Sequence, residues 1–600
     1  MRLLLLIYLL FSTPLFAQQN EEQLAAQFLG NGEYEKAADM YEKLLNKNPS
    51  STYLYDNLLN CYIKIRDWNQ AEKLVKRQQK RFSDQMIYQV DLAYIKQLSG
   101  NTDKLNKYLD DLIKNLDGSD SKTTQLAAAF QKRNFLNEAI RTYLRARQLN
   151  GNQSIAYALP LAQLYGQTQN VSQMVEEYLN AIQQNPRIVG EVQELLQDYA
   201  VQPTYYESIR TTLLKRLKVY PDNETMQDLL IWLYVQKKDF NNAFVQARAL
   251  DKRYKEEGKR LIELGQIATQ NQAYDAAINM FGYVIQFGKD KPHYLTARMN
   301  QLDARKQKIL FATNHTQEDL LVLENEYKSF LDENGRYHFT ARIMRDLARL
   351  YIYQLNRRND GIALYEEIIN QPRIDHKFKG TCKLELGDIY LLMGEEWEAM
   401  LLYGQVDKDF KEDPLGQEAK FRNATLSYYL GEFEWARAQL DVLKTATTQL
   451  MANNALELSL LIQDNTIDSN EEPLRMYANA DLYYYQMSFV QSIQILDSLT
   501  ALYPRHSLAD DVLYKRAQIA LAQKNYNLAN EFLKQIIKEH GSGIWGDNAM
   551  FMLAEMNHTV MNNTETAIEY YNQLLATYPG SFFTTEARKR IRTLRNDPVN

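Results

Sequence analysis

Gly32-Glu33-Tyr34-Glu35-Lys36-Ala37, followed by Tyr41, Leu44 and Pro49, is the stretch on which the reading of this chain turns. A glycine turn opens it, apolar positions recur at helical spacing behind the alanine, and proline marks the end. Two antiparallel helices cross closely only where the contact residue is small, and Ala37 meets that need. Moving outward, Ala71, Leu105 and Ala139 follow at steps of 34 residues. Met174 and Ile209 follow at steps of 35, and Ala243 and Ala277 at 34 again. A period held this long is the signature of stacked helix-turn-helix units, because a bundle has no reason to keep a fixed spacing.

The same pattern returns in Leu384-Glu385-Leu386-Gly387-Asp388-Ile389-Tyr390 with Gly394, Trp397, Ala399, Tyr403 and Val406. Asp67-Trp68-Asn69-Gln70-Ala71, Tyr526-Asn527-Leu528-Ala529 and Thr564-Glu565-Thr566-Ala567 repeat its second-helix start. In these residues the chain resembles the tetratricopeptide repeat (TPR) family over nearly its whole length. The resemblance implies an all-α fold, an α-solenoid in which antiparallel helix pairs wind as a right-handed superhelix. It also implies a surface for binding other proteins.

Composition agrees with long helical runs: 23 Gly and 13 Pro in 600 residues are about half the usual usage. With 45% hydrophobic residues and a mean hydropathy of -0.49, the chain has material for a continuous core and remains hydrophilic on average. A net charge of -6 gives no electrostatic reason to expect nucleic acid.

Met1-Arg2, the apolar run Leu3 to Phe11 and then Ser12-Thr13-Pro14-Leu15-Phe16-Ala17 read as a secretory signal over 1–17, with Gln18 first after cleavage. The run is shorter than the roughly 20 residues that span a bilayer. Such a start, on an Asn-, Lys- and Tyr-rich chain, resembles envelope proteins of Bacteroidota. No cysteine follows it to carry a lipid. Cys61 and Cys382 lie on first helices far apart along the array, so an internal disulfide is not expected.

The register divides the chain into an N-terminal array over 18–288, an irregular helical joint over 289–339 and a C-terminal array over 340–598. The joint is placed where the phase is lost: Gly361 follows Ala277 by 84 residues, which is not a whole number of repeats. Later units are longer, Ala399 to Ala436 and Ser492 to Ala529 each spanning 37. Around 445–473 an extra helix near Leu450 to Ile462 and a polar loop interrupt them, the loop being either a surface excursion or a partner-binding element. The last block, with Leu502-Tyr503-Pro504 and Ala576 to Ser581 ahead of Thr585 to Arg590, is similar to TPR domains of bacterial envelope proteins, the outer-membrane β-barrel assembly lipoprotein among them. The final helix is expected to bury Ala587, Ile591 and Leu594 and to expose Arg588, Lys589, Arg592 and Arg595, as a solubilising cap or a basic foot for an anionic surface.

Gly541-Ser542-Gly543-Ile544-Trp545-Gly546 spells a dinucleotide fingerprint, but helical patterns flank it on both sides, and it reads as an interhelix turn. Phosphate-loop, zincin, redox and α/β-hydrolase motifs are missing, and the seven histidines are scattered. The sequence therefore predicts no catalytic residues, no metal, no cofactor and no small-molecule substrate. In the TPR family the first helix of each repeat lines the groove. That carries the partner-binding role to Asp56, Asn60, Tyr94, Gln97, Gln266, Asp388, Tyr514 and Gln518, a set of amides, tyrosines and acids. The expectation is a non-catalytic periplasmic scaffold for one or more envelope proteins, soluble or peripherally associated with the outer membrane, serving an assembly or secretion machine. The alternative is a module that binds cell-wall glycan or its enzymes through tyrosine stacking.

Overall fold

The structure, a computed structural model, describes residues 21–151, 156–311, 315–444, 449–466 and 470–595. The signal over 1–17 lies outside them, as do 467–469 of the polar loop. The described residues form 32 α-helices and one short 3-10 turn, Pro186–Ile188, with no strand among them. The chain falls into two compact units, Met1–Lys308 and Ile309–Asn600. Each is a stack of antiparallel helix pairs.

What starts the helices also sets the period. Asp67, Asn170, Asp239, Asn525 and Asn563 each stand just before a second helix, and each accepts a hydrogen bond from the backbone N–H three residues on. That satisfies one of the donors a helix start leaves open. The fourth residue of each such helix is Ala71, Met174, Ala243, Ala529 or Ala567, and all five are buried. Leu105 opens its helix and Ile209 is the seventh residue of its own, yet both are buried too. The marker positions are therefore helix crossings. Where a ring fills the crossing, its partner must lack a side chain. A Cβ on Gly265 would lie 2.6 Å from the Phe281 ring, and one on Gly387 would lie 2.6 Å from that of Tyr403.

Within 289–339 the chain forms two helices of 18 residues each, Tyr294–Phe311 and Gln317–Asn334, the second opened by a capping box of Thr316 and Asp319. The extra helix is Gln449–Asp464. Ala455 and Ile462 enter the same core as Leu440 and Leu443, while Leu456 and Leu460 stay exposed. Past it, the end of helix Glu472–Tyr485 reaches back along the chain. Tyr485 Oη donates to the Asp388 carbonyl at 3.4 Å, and Gln486 Nε2 donates to that of Leu391 at 3.2 Å.

The final helix, Thr584–Arg595, buries Ala587 and Ile591, half-buries Leu594 and exposes Arg588, Lys589, Arg592 and Arg595. Cys61 and Cys382 are unpaired and buried, and burial pushes both thiols up, to about 11 and about 12.

Candidate binding faces

The predicted residues Asp56 and Asn60 lie on helix Thr52–Lys64, and Tyr94 and Gln97 on helix Ile87–Leu98. The structure gathers two of the four. Asp56 is paired with Lys132 at 2.5 Å and faces Arg133 at 3.4 Å. The same guanidinium sits 5.3 Å over the Tyr94 ring and donates from Nε to the fully buried Asp91 at 2.5 Å. Asp91 also accepts from Tyr55 Oη at 2.5 Å, and burial beside this carboxylate drives the Tyr55 hydroxyl well up. Asn60 and Gln97 face solvent, as does Gln266 on helix Lys259–Gln270.

In the C-terminal unit Asp388 accepts from Arg422 at 2.6 Å and from Tyr403 Oη at 2.8 Å. Burial still lifts its carboxyl to about 6, against the pull of Arg422.

Tyr514 and Gln518 lie on helix Ala509–Ala522 and line a cavity of about 300 Å³, which adjoins a second of about 540 Å³ through Asp511 and Trp545. The extra helix Gln449–Asp464 forms one wall with Glu457 and Leu461. Facing it, the Tyr514 ring stacks on Trp545 with centroids 4.0 Å apart and planes 13° from parallel. Trp545 Nε1 donates to the buried Asp511 at 2.8 Å. An indole N–H is neutral and replaces little of the lost hydration, so burial raises the Asp511 carboxyl to about 7. Lys515 meets Asp481 at 2.6 Å, and Tyr428 Oη donates to the other oxygen of that carboxylate at 3.1 Å. Burial likewise raises Glu457, with Lys515 opposing, and lifts the Tyr514 hydroxyl to about 12.

Sequence reasoning missed Trp545, Glu457, Asp481, Lys515 and Asp511. A signal for four of them was present. Asp481 and Lys515, and Asp511 and Trp545, are each 34 residues apart and touch across adjacent repeats, as Asp388 and Arg422 do. The turn Gly541 to Gly546 does join two helices, Tyr526–His540 and Gly546–Thr559. Its close packing needs glycine, since a Cβ on Gly543 would lie 2.9 Å from an Asp510 carboxylate oxygen. Among the described residues no cluster of His, Cys, Asp and Glu is placed to hold a metal, and no helix is long and apolar enough to cross a membrane.

Two family profiles match the sequence. That of an outer membrane lipoprotein family (YfiO) covers 469–597, which includes about half of the residues lining the cavities, and a tetratricopeptide repeat profile covers 22–51. No curated protein matches the chain. Solved structures similar to it include yeast Tom70, 13% identical, with 96% of this chain and 97% of that one covered at a TM-score of 0.26. A tetratricopeptide repeat protein from Parabacteroides merdae is 13% identical over 57% of this chain and all of its own, at a TM-score of 0.20. The C-terminal part of a TPR repeat-containing protein from Cytophaga hutchinsonii is 9% identical over 48% of this chain and 98% of its own, at 0.25.

Proposed function

Because the chain is a tetratricopeptide repeat protein, we propose that it is a non-catalytic scaffold of the cell envelope. It is exported by its first 17 residues and holds one or more envelope proteins, in the service of an outer-membrane assembly or secretion machine. The observation that carries this reading is the aromatic-walled cavity pair beside helix Gln449–Asp464. The wall that carries Tyr514, Gln518 and Trp545 lies in the stretch similar to an outer membrane lipoprotein family. The N-terminal array, the joint over 289–339 and the C-terminal array are its structural parts, and Tyr514 and Gln518 are its central contacts. Asp56, Asn60, Tyr94, Gln97 and Gln266 on first helices of the N-terminal unit, and Asp388 in the C-terminal unit, are further candidate contacts, each within its own unit. A non-catalytic role is supported by how the polar groups are used: Asp56, Asp91, Asp388 and Asp481 face cations or hydroxyls of the same chain and do not converge on a common reacting atom.

The test is capture from a crosslinked envelope fraction with the full chain and with its Trp545→Ala variant. Bands present with the parent and lost with the variant support the scaffold. Capture indifferent to Trp545 removes the cavity from the reading. Sedimentation with purified peptidoglycan, dependent on Trp545, transfers the site to cell-wall glycan. N-terminal sequencing that finds Met1 on the protein in the membrane pellet overturns export with cleavage.

A further inference from the structure

The walls of the two cavities are rich in carboxylates and poor in cations. Glu457, Asp464, Asp510 and Asp511 line them, and Lys515, the cation among the lining residues, is already set against Asp481 at 2.6 Å. The side-chain oxygen of Gln518 is buried in the same wall with no hydrogen-bond partner in the protein. An unsatisfied buried acceptor has lost its hydration without replacement, so this wall gains from a ligand that brings N–H groups. The stacked Tyr514 and Trp545 rings add π surface, which attracts a cation placed over it. Around the mouth, Leu456, Leu460 and Ile544 are exposed apolar side chains, with Ile544 at 66%.

We propose that this cavity is a socket for an arginine side chain presented by an apolar segment of the protein partner. The assignment rests on the reading of the cavity as the partner site and adds what the site recognises. Arginine fits the wall better than lysine because its acceptors are spread over separate helices: Glu457 on one, Asp511 and Gln518 on another. A planar guanidinium offers five donors in a fixed fork and stacks on an aromatic face, whereas an ammonium is a compact point with three. A cation here is worth more than at an open surface, because the carboxylates it meets are partly withdrawn from water. The upward shifts of Glu457 and Asp511 are the mark of carboxylates that burial has left short of positive charge. The exposed leucines and Ile544 cover the residues flanking the arginine.

The test is a fluorescence anisotropy titration of the full chain with a short fluorescein-labelled peptide that alternates leucine with arginine. Citrulline and lysine versions of the same peptide are the comparisons. Citrulline keeps the shape and removes the charge, and it is expected to bind about tenfold more weakly or worse, since hydrogen bonds to a charged group are worth about 1.5–3 kcal/mol. Lysine is expected to fall between the two. Glu457→Gln, at the exposed mouth, is expected to weaken the arginine peptide severalfold at an unchanged melting temperature. Gln518→Leu, which removes the unsatisfied oxygen, is expected to weaken it as well. Equal binding of arginine and citrulline peptides, indifference to Glu457→Gln, or no saturable binding overturns the socket. The two readings fail separately. Trp545-dependent capture without arginine preference keeps the scaffold and ends the socket, and the reverse pattern does the opposite.

Discussion

Asp91 in the N-terminal unit and Asp511 in the C-terminal unit are both buried first-helix carboxylates, yet their surroundings differ. Asp91 accepts from the Arg133 guanidinium and the Tyr55 hydroxyl, and the neighbouring Asp56 faces Lys132 and Arg133. Its charges cancel within the chain. Asp511 accepts from a neutral indole and shares its cavity wall with further acids. The same repeat architecture thus builds a face closed by its own ion pairs and a face left open. What decides between them is the residue that the stacking brings alongside: an arginine in one case, a tryptophan in the other.

The sharpest way to break the comparison is to remove the closing cation. Arg133→Met strips Asp91 of its partner and leaves a buried charge uncompensated, which should cost about 3–5 kcal/mol in denaturant unfolding of the full chain. A loss below about 1 kcal/mol would mean that this face is not held by its pairs.

The opposite substitution is expected to stabilise the open face. The carboxyl of Asp511 titrates near 7 in the folded protein against 3.8 as its ordinary value. Between those values the folded state holds the extra proton, so this group's contribution to stability falls as pH rises from about 4 to about 7 and is flat above. Asp511→Asn keeps an acceptor for Trp545 and removes that slope. It should raise stability by about 2–4 kcal/mol at pH 8 and leave it nearly unchanged at pH 4, read as paired melts of variant and parent. A gain that does not depend on pH would contradict the burial argument.

Helix crossings should respond alike in both units, because they share one packing device. Ala71→Trp overpacks a fully buried crossing and is expected to cost about 1–3 kcal/mol in the N-terminal unit. Gly387→Ala should do the same against Tyr403. The smallest effect belongs to the exposed amides. Asn60→Ala with Gln97→Ala should change stability by less than about 0.5 kcal/mol, and a larger change would mean that they take part in the ion-paired face.

Most of the fold was legible in one number, the 34-residue step, because each marker sits at a helix crossing where only a limited volume fits. The candidate site was legible in part. Tyr514 and Gln518 were named from their place on a first helix, and both line the cavity. Trp545 was passed over because it lies inside a glycine-rich turn, and nothing local marks that turn as facing the previous repeat. The step itself would have found it, since adding 34 to Asp511 gives Trp545. Asp56 reads in the sequence as a groove acid, and its partners Lys132 and Arg133 stand 76 and 77 residues on, two repeats away, where a one-repeat rule does not look. The extra helix near 450–462 was visible as apolar periodicity. Its part in walling a cavity was not, since that depends on the path the chain takes in space.

The bonds from Tyr485 and Gln486 back to Asp388 and Leu391 change how the C-terminal unit should come apart. In a plain solenoid each repeat meets only its neighbours, so units can fray one after another from an end. Here two hydrogen bonds span 97 and 95 residues and bracket the interruption around 445–473. A protease cut within that interruption should therefore leave two fragments that stay associated until the clasp itself opens. Amide exchange should show the flanking repeats on both sides losing protection together, as one cooperative block, and not as a graded wave from the C-terminus.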